Sequence, residues 1–559
     1  MKLRVRAGLF VIAVAAATLG LGSQALGEVI EPDAFTDGIA TNNNCTLREA
    51  VQASNENIAI DDCPAGSASE IDRIFLDPGH YGLDETGDLE DQNLTGDLDV
   101  TNDAGPLWIR GAGMGATFVD SEMDDRVFDA PIFDGDLSLL DLTATGNGNQ
   151  DLLGGGVIQV DSGVAELERV RVEGGDAQFG GGVYCLGTCE MTVTDSVIRD
   201  NQATVSSTGF PGVRAEGGGM NIASGGDVTI KGTAILGNEA IANDSIAQGG
   251  GLATSGDVRI LNSTIAGNAA LSSTDSTAVS SVRQGAGIFV DQIGANVKIV
   301  NSTISQNNAS SMGNDSAGGG VHLDDDGKVT IVASTLGNNN ASVGTAMAAQ
   351  GGKMTLRGSI IAAVPVGPIC GAVGGKIKTR GYNILEFTPV TCLGGKHSPR
   401  DEVADPLLGG IALDNGGPTA TYALPPGSPA INFVPKKKCK PAKKEDQRGT
   451  ERPAGKACDA GSYERTKCGG ELVDTDFDFG TSGNDNMSGL TGIDLLAPSA
   501  GNDKFSSFDG NDVLCGGSGD DTLKGGNDDD TLIGGKGKDK CDGGPGNDSG
   551  KSCEKGKSL

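Results

Sequence analysis

Val258-Arg-Ile-Leu-Asn-Ser-Thr-Ile265 and Val297-Lys-Ile-Val-Asn-Ser-Thr-Ile304 are two copies of one pattern: apolar, x, apolar, x, x, Ser/Thr, x, aliphatic. It recurs as MTVTDSVI from Met191, VTIKGTAI from Val228, VTIVASTL from Val329 and MTLRGSII from Met354, with a weaker copy, AELERVRV, from Ala165. Positions one and three alternate as a strand does. Positions six and eight alternate again with the parity shifted by one, which flips the inward face unless the chain turns. Each copy therefore predicts two short strands meeting at a corner over positions four and five.

Five copies place an asparagine three residues after the final aliphatic: Asn201, Asn238, Asn268, Asn307 and Asn339. Asparagine tolerates left-handed backbone and can hydrogen-bond its own kind in a stack, so these residues predict an internal ladder at a second corner. Glycine clusters at Gly180–Gly182, Gly217–Gly219, Gly249–Gly251 and Gly318–Gly320 precede most copies. The copies begin 26, 37, 30, 39, 32 and 25 residues apart, as coils of near-constant size with loop insertions would. The reading is all-β: a right-handed parallel β-helix, its hand following the rule for parallel crossovers.

Composition agrees. The chain has 559 residues, 90 of them glycine and only 21 aromatic, which argues against an ordinary helical or doubly wound enzyme. Residues 1–27 read as a secretory signal, with Lys2, Arg4 and Arg6 ahead of the apolar run Leu9–Leu21, and cleavage after Ala25 or Gly27. No membrane span is expected in the mature chain. The net charge is −33, and residues 28–145 hold 27 acidic against 4 basic side chains. Such a surface repels nucleic acid and anionic lipid, so no nucleic-acid partner is expected.

Twelve cysteines in an exported chain favour disulfides. Their spacing suggests local pairs: Cys45 with Cys63, Cys185 with Cys189, Cys370 with Cys392, Cys439 with Cys458 and Cys541 with Cys553. Cys515 with Cys541 is disfavoured, because three repeats separate them.

Near the N-terminus, Thr46 and Glu49 form a capping box for a short helix whose Leu47, Ala50 and Val51 share one face; it would cover the open first coil. The stretch Cys45-Thr-Leu-Arg-Glu-Ala50, with Asp72-Arg-Ile-Phe-Leu-Asp-Pro-Gly-His-Tyr81 after it, resembles the CSLREA-type N-terminal region of secreted bacterial β-helix proteins. The run from Asp405, DPLLGGIALDNGGPTATYALPPGSPAIN, with Asp446-Gln-Arg-Gly449 and Cys458-Asp-Ala-Gly-Ser-Tyr-Glu464, resembles the choice-of-anchor Q domain. That resemblance implies a closing module for the solenoid and no activity.

From Gly480 the chain divides into eight nine-residue units, beginning at Gly480, Gly489, Pro498, Ser507, Gly516, Gly525, Gly534 and Gly543. Position six is always aspartate: Asp485, Asp494, Asp503, Asp512, Asp521, Asp530, Asp539 and Asp548. Position four is glycine in seven units, among them Gly483, Gly501, Gly510, Gly519, Gly537 and Gly546, with Asp528 the exception. Position eight is large and apolar from Met487 to Leu532. Calcium takes six to eight oxygens in a flexible shell, and glycine-rich turns that let carbonyls converge beside phased carboxylates meet that demand. The pattern resembles the RTX (haemolysin-type) calcium-binding nonapeptide. That resemblance implies a parallel β-roll holding several Ca2+ ions, two units per coil. Asp485, Asp503, Asp521 and Asp539 would then lie on one edge, and Asp494, Asp512, Asp530 and Asp548 on the other.

The expected organisation is a signal (1–27), an N-terminal cap and first coils (28–105), the β-helix (106–365), the closing domain (366–465), a linker (466–479) and the roll with its tail (480–559). The expected function is a secreted or cell-surface-associated calcium-binding protein, structural or adhesive, with calcium and extracellular polysaccharide as partner classes and no catalytic residue assigned. The alternative is a polysaccharide lyase or glycoside hydrolase on the same scaffold, whose best candidate group is Asp324, Asp325 and Asp326 with Lys328 and His322.

Overall fold

The computed structural model describes residues 26–557 except 88–91, 102–106, 122–124, 132–135, 148–152, 206–212, 243–244, 273–282, 292–293, 310–315, 363–367, 373, 387–392, 394–396, 410–411, 413–414, 416, 426, 440–444, 466, 469–470, 473–483, 485, 490–494 and 497–500. The body is a right-handed parallel β-helix. The first residues of all seven pattern copies fall in one column, in register from Ala165 through Met191, Val228, Val258, Val297 and Val329 to Met354. Position three stacks beneath it, from Leu167 and Val193 through Ile230, Ile260, Ile299 and Ile331 to Leu356, all fully buried. Three further parallel sheets complete the coils, the longest running over ten strands from Leu98–Asp99 to Cys370–Ala372.

The corner within each copy lies at positions five and six, one residue later than the sequence pattern suggests. Position five is left-handed throughout: Asp195, Gly232, Asn262, Asn301, Ala333 and Gly358 have φ between 46 and 60°. Position six follows as a buried hydroxyl. From Ser196 through Thr233, Ser263, Ser302 and Ser334 to Ser359, each side chain accepts from the backbone N–H of the coil before. This hydroxyl ladder explains why position six is Ser or Thr.

The asparagine ladder is present at the second corner. Asn238 Oδ1 accepts from Asn201 N and Nδ2, and the same pair of bonds joins Asn268, Asn307 and Asn339 at 2.9–3.1 Å. The left-handed residue there is the one before each asparagine, as at Asp200 (φ 54°) and Gly237 (φ 61°). The side chain's service to backbone, rather than its tolerance of strain, selects asparagine.

Coils that the pattern did not reveal extend the solenoid at both ends. Leu137 sits above Ala165, and Ile377 follows Met354. In the first, Leu142 replaces the hydroxyl at position six; in the second, Asn383 replaces it after a one-residue insertion, still accepting from Ser359 N at 3.0 Å.

The helix Leu47–Glu56 carries both bonds of the Thr46–Glu49 capping box and is buried from Leu47 to Ser54. It touches the strands Ile71–Phe75 and Leu98–Asp99. Arg48, given no role by the sequence, is fully buried; it pairs with Asp37 at 2.7 Å and donates to the carbonyls of Gly96 and Asp97. The strand Leu26–Ile30 pairs with Ile71–Phe75. Of the two cleavage positions, the one after Ala25 leaves that strand whole; residues 1–25 lie outside those described.

Residues 417–465 lie along the side of the solenoid, where the resemblance implied a closing module. Gln447 Nε2 donates to Thr264 Oγ1 and Thr419 Oγ1 at 2.8 Å, and its Oε1 accepts from Thr303 at 2.7 Å. Asp446 and Arg448 are buried as a pair at 2.9 Å, with the guanidinium over the Tyr463 ring. These contacts give the Asp446-Gln-Arg-Gly449 stretch a structural reason: it is a polar clasp over the outward Thr264 and Thr303, and Ser462 extends it by donating its backbone N–H to Thr335 Oγ1.

Cys45–Cys63, Cys185–Cys189, Cys439–Cys458 and Cys541–Cys553 are bonded. Cys370 and Cys515 are also disulfide-bonded; Cys392 lies outside the described residues. Among the described residues no helix is long and apolar enough to cross a membrane.

Candidate metal centre

The C-terminal units form a second, thinner parallel stack. Strands Asn486–Ser488, Lys504–Ser506, Thr522–Lys524 and Lys540–Asp542 build one sheet, to which the tail adds Lys555–Lys557 after a 15-residue step; Leu495–Leu496, Val513–Ser518, Thr531–Lys536 and Ser549–Lys551 build the other. Partners within the units are 18 residues apart, as in Lys504↔Thr522 and Val513↔Thr531, so two units make one coil. The position-eight side chains Phe505, Leu514, Leu523, Leu532 and Cys541 fill the interior.

Aspartates of alternate units consequently share an edge. Asp521 Oδ1 accepts from Asp503 N, and Asp539 Oδ1 from Asp521 N, both at 2.9 Å. On the opposite edge Asp530 Oδ1 accepts from Asp512 N and Asp548 Oδ1 from Asp530 N. Asp485, Asp494 and Gly483 lie outside the described residues. The position-five side chains form a parallel ladder in the opposite sense, with Asn502 Oδ1 accepting from Asp520 N and Asp520 Oδ1 from Lys538 N.

One carboxylate oxygen per aspartate is thus committed to backbone. The other, Oδ2 of Asp521, Asp530, Asp539 and Asp548, is buried and accepts no hydrogen bond. A buried charged oxygen without a partner is costly. Burial pushes the Asp521 carboxyl up to about 7, helped by the charges of Asp503, Asp539 and Asp520. Asp530 is pushed to about 6 in the same way, and Asp539 is raised.

The glycine at position one completes each cradle. A methyl carbon on Gly516 would collide with Asp521 Oδ2 and the Gly534 carbonyl; on Gly525 it would meet Asp530 Oδ2 and the Gly543 carbonyl. The same recess is therefore lined by a carboxylate oxygen and a carbonyl from the next coil. The sequence pattern singles out position four. There Gly501, Gly510, Gly519 and Gly537 have φ of 117–149°, and the Cβ of Gly519, Gly537 or Gly546 would strike the backbone of the coil before. Position four thus lets coils stack, and position one keeps the oxygen recess open. At Ser507 the recess holds a hydroxyl, which donates to the Gly525 carbonyl. Unpartnered carboxylate oxygens facing convergent carbonyls fit a hard divalent cation.

Residues 479–514, 499–523 and 516–549 match the model of the RTX calcium-binding nonapeptide repeat (four copies), and residues 138–361 match that of the right handed beta helix region. The C-terminal units are RTX repeats. Such repeats imply calcium binding. No curated protein matches the chain. Among solved structures, the pectate lyase Pel9A is similar at 15% identity and a TM-score of 0.36, over 80% of this chain and 98% of that one. The PL6 family alginate lyase AlyGC is similar at 12% and 0.20, over 85% and 69%. Likenesses this distant do not bear on activity.

The alternative catalytic group is dispersed. His322 is fully buried in the strand Val321–Leu323, stacked on Phe289, with Nε2 3.3 Å from Gln350 Oε1 and 4.0 Å from Asp324. Asp325 and Asp326 are exposed on the following turn. A separate acidic cluster, Asp97, Asp99 and Asp129, is buried with its oxygens within 4.8 Å of one another. Arg126 serves it, 2.6 Å from Asp129 and 3.2 Å from Asp97.

Proposed function

We propose that the RTX roll takes up several Ca2+ ions in two rows. The position-six aspartates Asp485, Asp494, Asp503, Asp512, Asp521, Asp530, Asp539 and Asp548 would supply the charged oxygens, and the glycine-rich turns carrying Gly483, Gly501, Gly510, Gly519, Gly537 and Gly546 the carbonyls. The single observation that carries this reading is the set of buried, unpartnered Oδ2 atoms at Asp521, Asp530, Asp539 and Asp548. Calcium bound there would neutralise two columns of like charge, each with neighbours ~4.8 Å apart along the coils. Titration calorimetry of the whole protein should give several calcium equivalents. No heat at millimolar calcium would refute the reading.

The β-helix would act as a non-enzymatic, structural or adhesive body outside the cell, with residues 28–105 as its cap and first coils and 366–465 as its closing domain, which begins with the last coils of the solenoid. RTX repeats and several disulfides both suit an extracellular protein. A panel of polysaccharides tests this part. The expected result is no release of unsaturated or reducing ends; turnover abolished by one substitution would overturn it.

A further inference from the structure

Charge is sorted along the outer face of the 22-stranded sheet that holds the pattern strands. The outward position before the copies from Met191 to Met354, and then before the coil of Ile377, reads Glu190, Asp227, Asp257, Asn296, Lys328, Lys353 and Lys376, with the uncharged Val164 ahead of them. Two residues further along, the column runs Glu166, Thr192, Thr229, Arg259, Lys298, Thr330, Thr355 and Lys378. The face is acidic in the early coils and basic in the late ones. In a chain of net charge −33, residues 328–400 carry eight basic side chains and one acidic one.

The basic end is concave. A groove of about 550 Å³ is lined by Lys328, Lys353, Arg357, Arg380, Arg400 and Lys438, with the Thr330 and Thr355 hydroxyls and the Tyr382 ring between the cations. None of these six cations forms a salt bridge among the described residues, whereas Arg110, Arg169, Arg199, Arg214 and Arg259, in earlier coils, all do. The cations recur at about one coil rise, ~4.8 Å, along the solenoid axis. Unpaired like charges held in a row repel one another, a cost that a bound polyanion would remove.

We propose that this groove is the docking surface for a single anionic polysaccharide strand, carboxylated or sulfated, lying along the solenoid axis. A flexible strand can enter the groove and meet one cation per coil, its hydroxyls reaching Thr330 and Thr355 and a sugar face covering Tyr382. A membrane or a long duplex would also have to approach the acidic coils, where residues 28–145 hold a net of −23. The proposal is independent of the calcium reading, because the groove and the roll share no residue.

The test uses the whole protein at fixed calcium. Binding is measured to polygalacturonate, heparin, neutral dextran and duplex DNA, for the native chain and for a triple variant of groove residues, Lys328→Glu with Lys353→Glu and Arg380→Glu. A second triple variant, Lys504→Glu with Lys524→Glu and Lys551→Glu, makes the same change of net charge on the roll, and circular dichroism checks each fold. The expected result is salt-sensitive binding of polygalacturonate or heparin and none of dextran. Affinity should fall about tenfold or more in the groove variant and little in the roll variant. Binding to either anionic polymer alone supports the proposal and identifies the anion. The proposal is overturned by no glycan binding, by equal loss in both variants, by DNA binding at least as tight, or by groove-dependent self-association without glycan binding.

Discussion

Each position-six aspartate meets two opposed demands. Its Oδ1 must stay close to the backbone of the coil before, and its Oδ2 must remain charged in a site without a hydrogen-bond donor. Asp521 shows the conflict most clearly, being 1% exposed with a carboxyl pushed up to about 7. Asp521→Ala should therefore weaken calcium-driven folding more than Asp548→Ala in the last unit, where the side chain is only half-buried. Gly525→Ala should do nearly as much harm as an aspartate deletion, since its methyl would enter the recess beside Asp530 Oδ2; calcium titrations followed by circular dichroism would compare all three. The raised carboxyls also set a pH dependence. A carboxyl whose folded value lies above its unfolded one favours folding below the unfolded value, near 4, and loses that advantage as pH rises through 6 to 7. In chelator, then, the roll should hold more structure at pH 4 than at pH 8, and a roll that gained structure on going alkaline would contradict this charge account.

Within the β-helix the element that repeats is a strand, a left-handed corner and a second strand, served by two polar ladders. Ile299 lies fully buried between Ile260 and Ile331, so Ile299→Asp should unfold the solenoid, an unpaired buried carboxylate costing several kcal/mol or more. Asn268→Ala is a finer probe. It removes the acceptor for Asn238 N and Nδ2 and the donor to Ile235 O, leaving buried groups unmade at about 1–3 kcal/mol each. A thermal shift no larger than that of the outward, half-buried Thr229→Ala would contradict a stabilising ladder. Both ladders have sequence signatures, yet only the asparagine one is legible as a ladder. The hydroxyls of position six looked like half of a strand alternation, because nothing in one copy shows that its partner sits in the next coil. The corner was misplaced by one residue for a related reason: position five is Asp, Gly, Asn, Asn, Ala and Gly across the copies, so no residue type marks it. The coils in which Leu142, or Asn383 after a one-residue insertion, replaces the hydroxyl do not fit the pattern. In the roll the aspartate phase was legible, whereas the role of the position-one glycine depends on which oxygens of two coils converge. Loss of that convergence at Ser507 could not be seen from one unit.

At the scale of the molecule, two stacks of parallel strands are held together differently. The β-helix has a broad interior of Val, Ile and Leu columns and internal ladders that satisfy its corners. The roll has one apolar side chain per unit inside and a carboxylate at each turn. Residues 480–551 hold 13 acidic and 6 basic side chains, with few large apolar groups to offset chain entropy. A chain comprising residues 26–465 should keep its β-type circular dichroism in chelator, and losing it would contradict this division. The roll should need its metal. Calcium that binds only the folded coil stabilises it by about RT ln(1 + [Ca]/Kd), near 2.7 kcal/mol at a hundredfold excess. Magnesium, which holds its water and demands a tighter octahedron, should substitute poorly. The most direct measurement is the circular dichroism of a Cys468–Leu559 fragment, disulfides intact, in chelator, in magnesium and in calcium. The account predicts a disordered spectrum in the first two and β-structure in the third; equal β-structure in all three would contradict it.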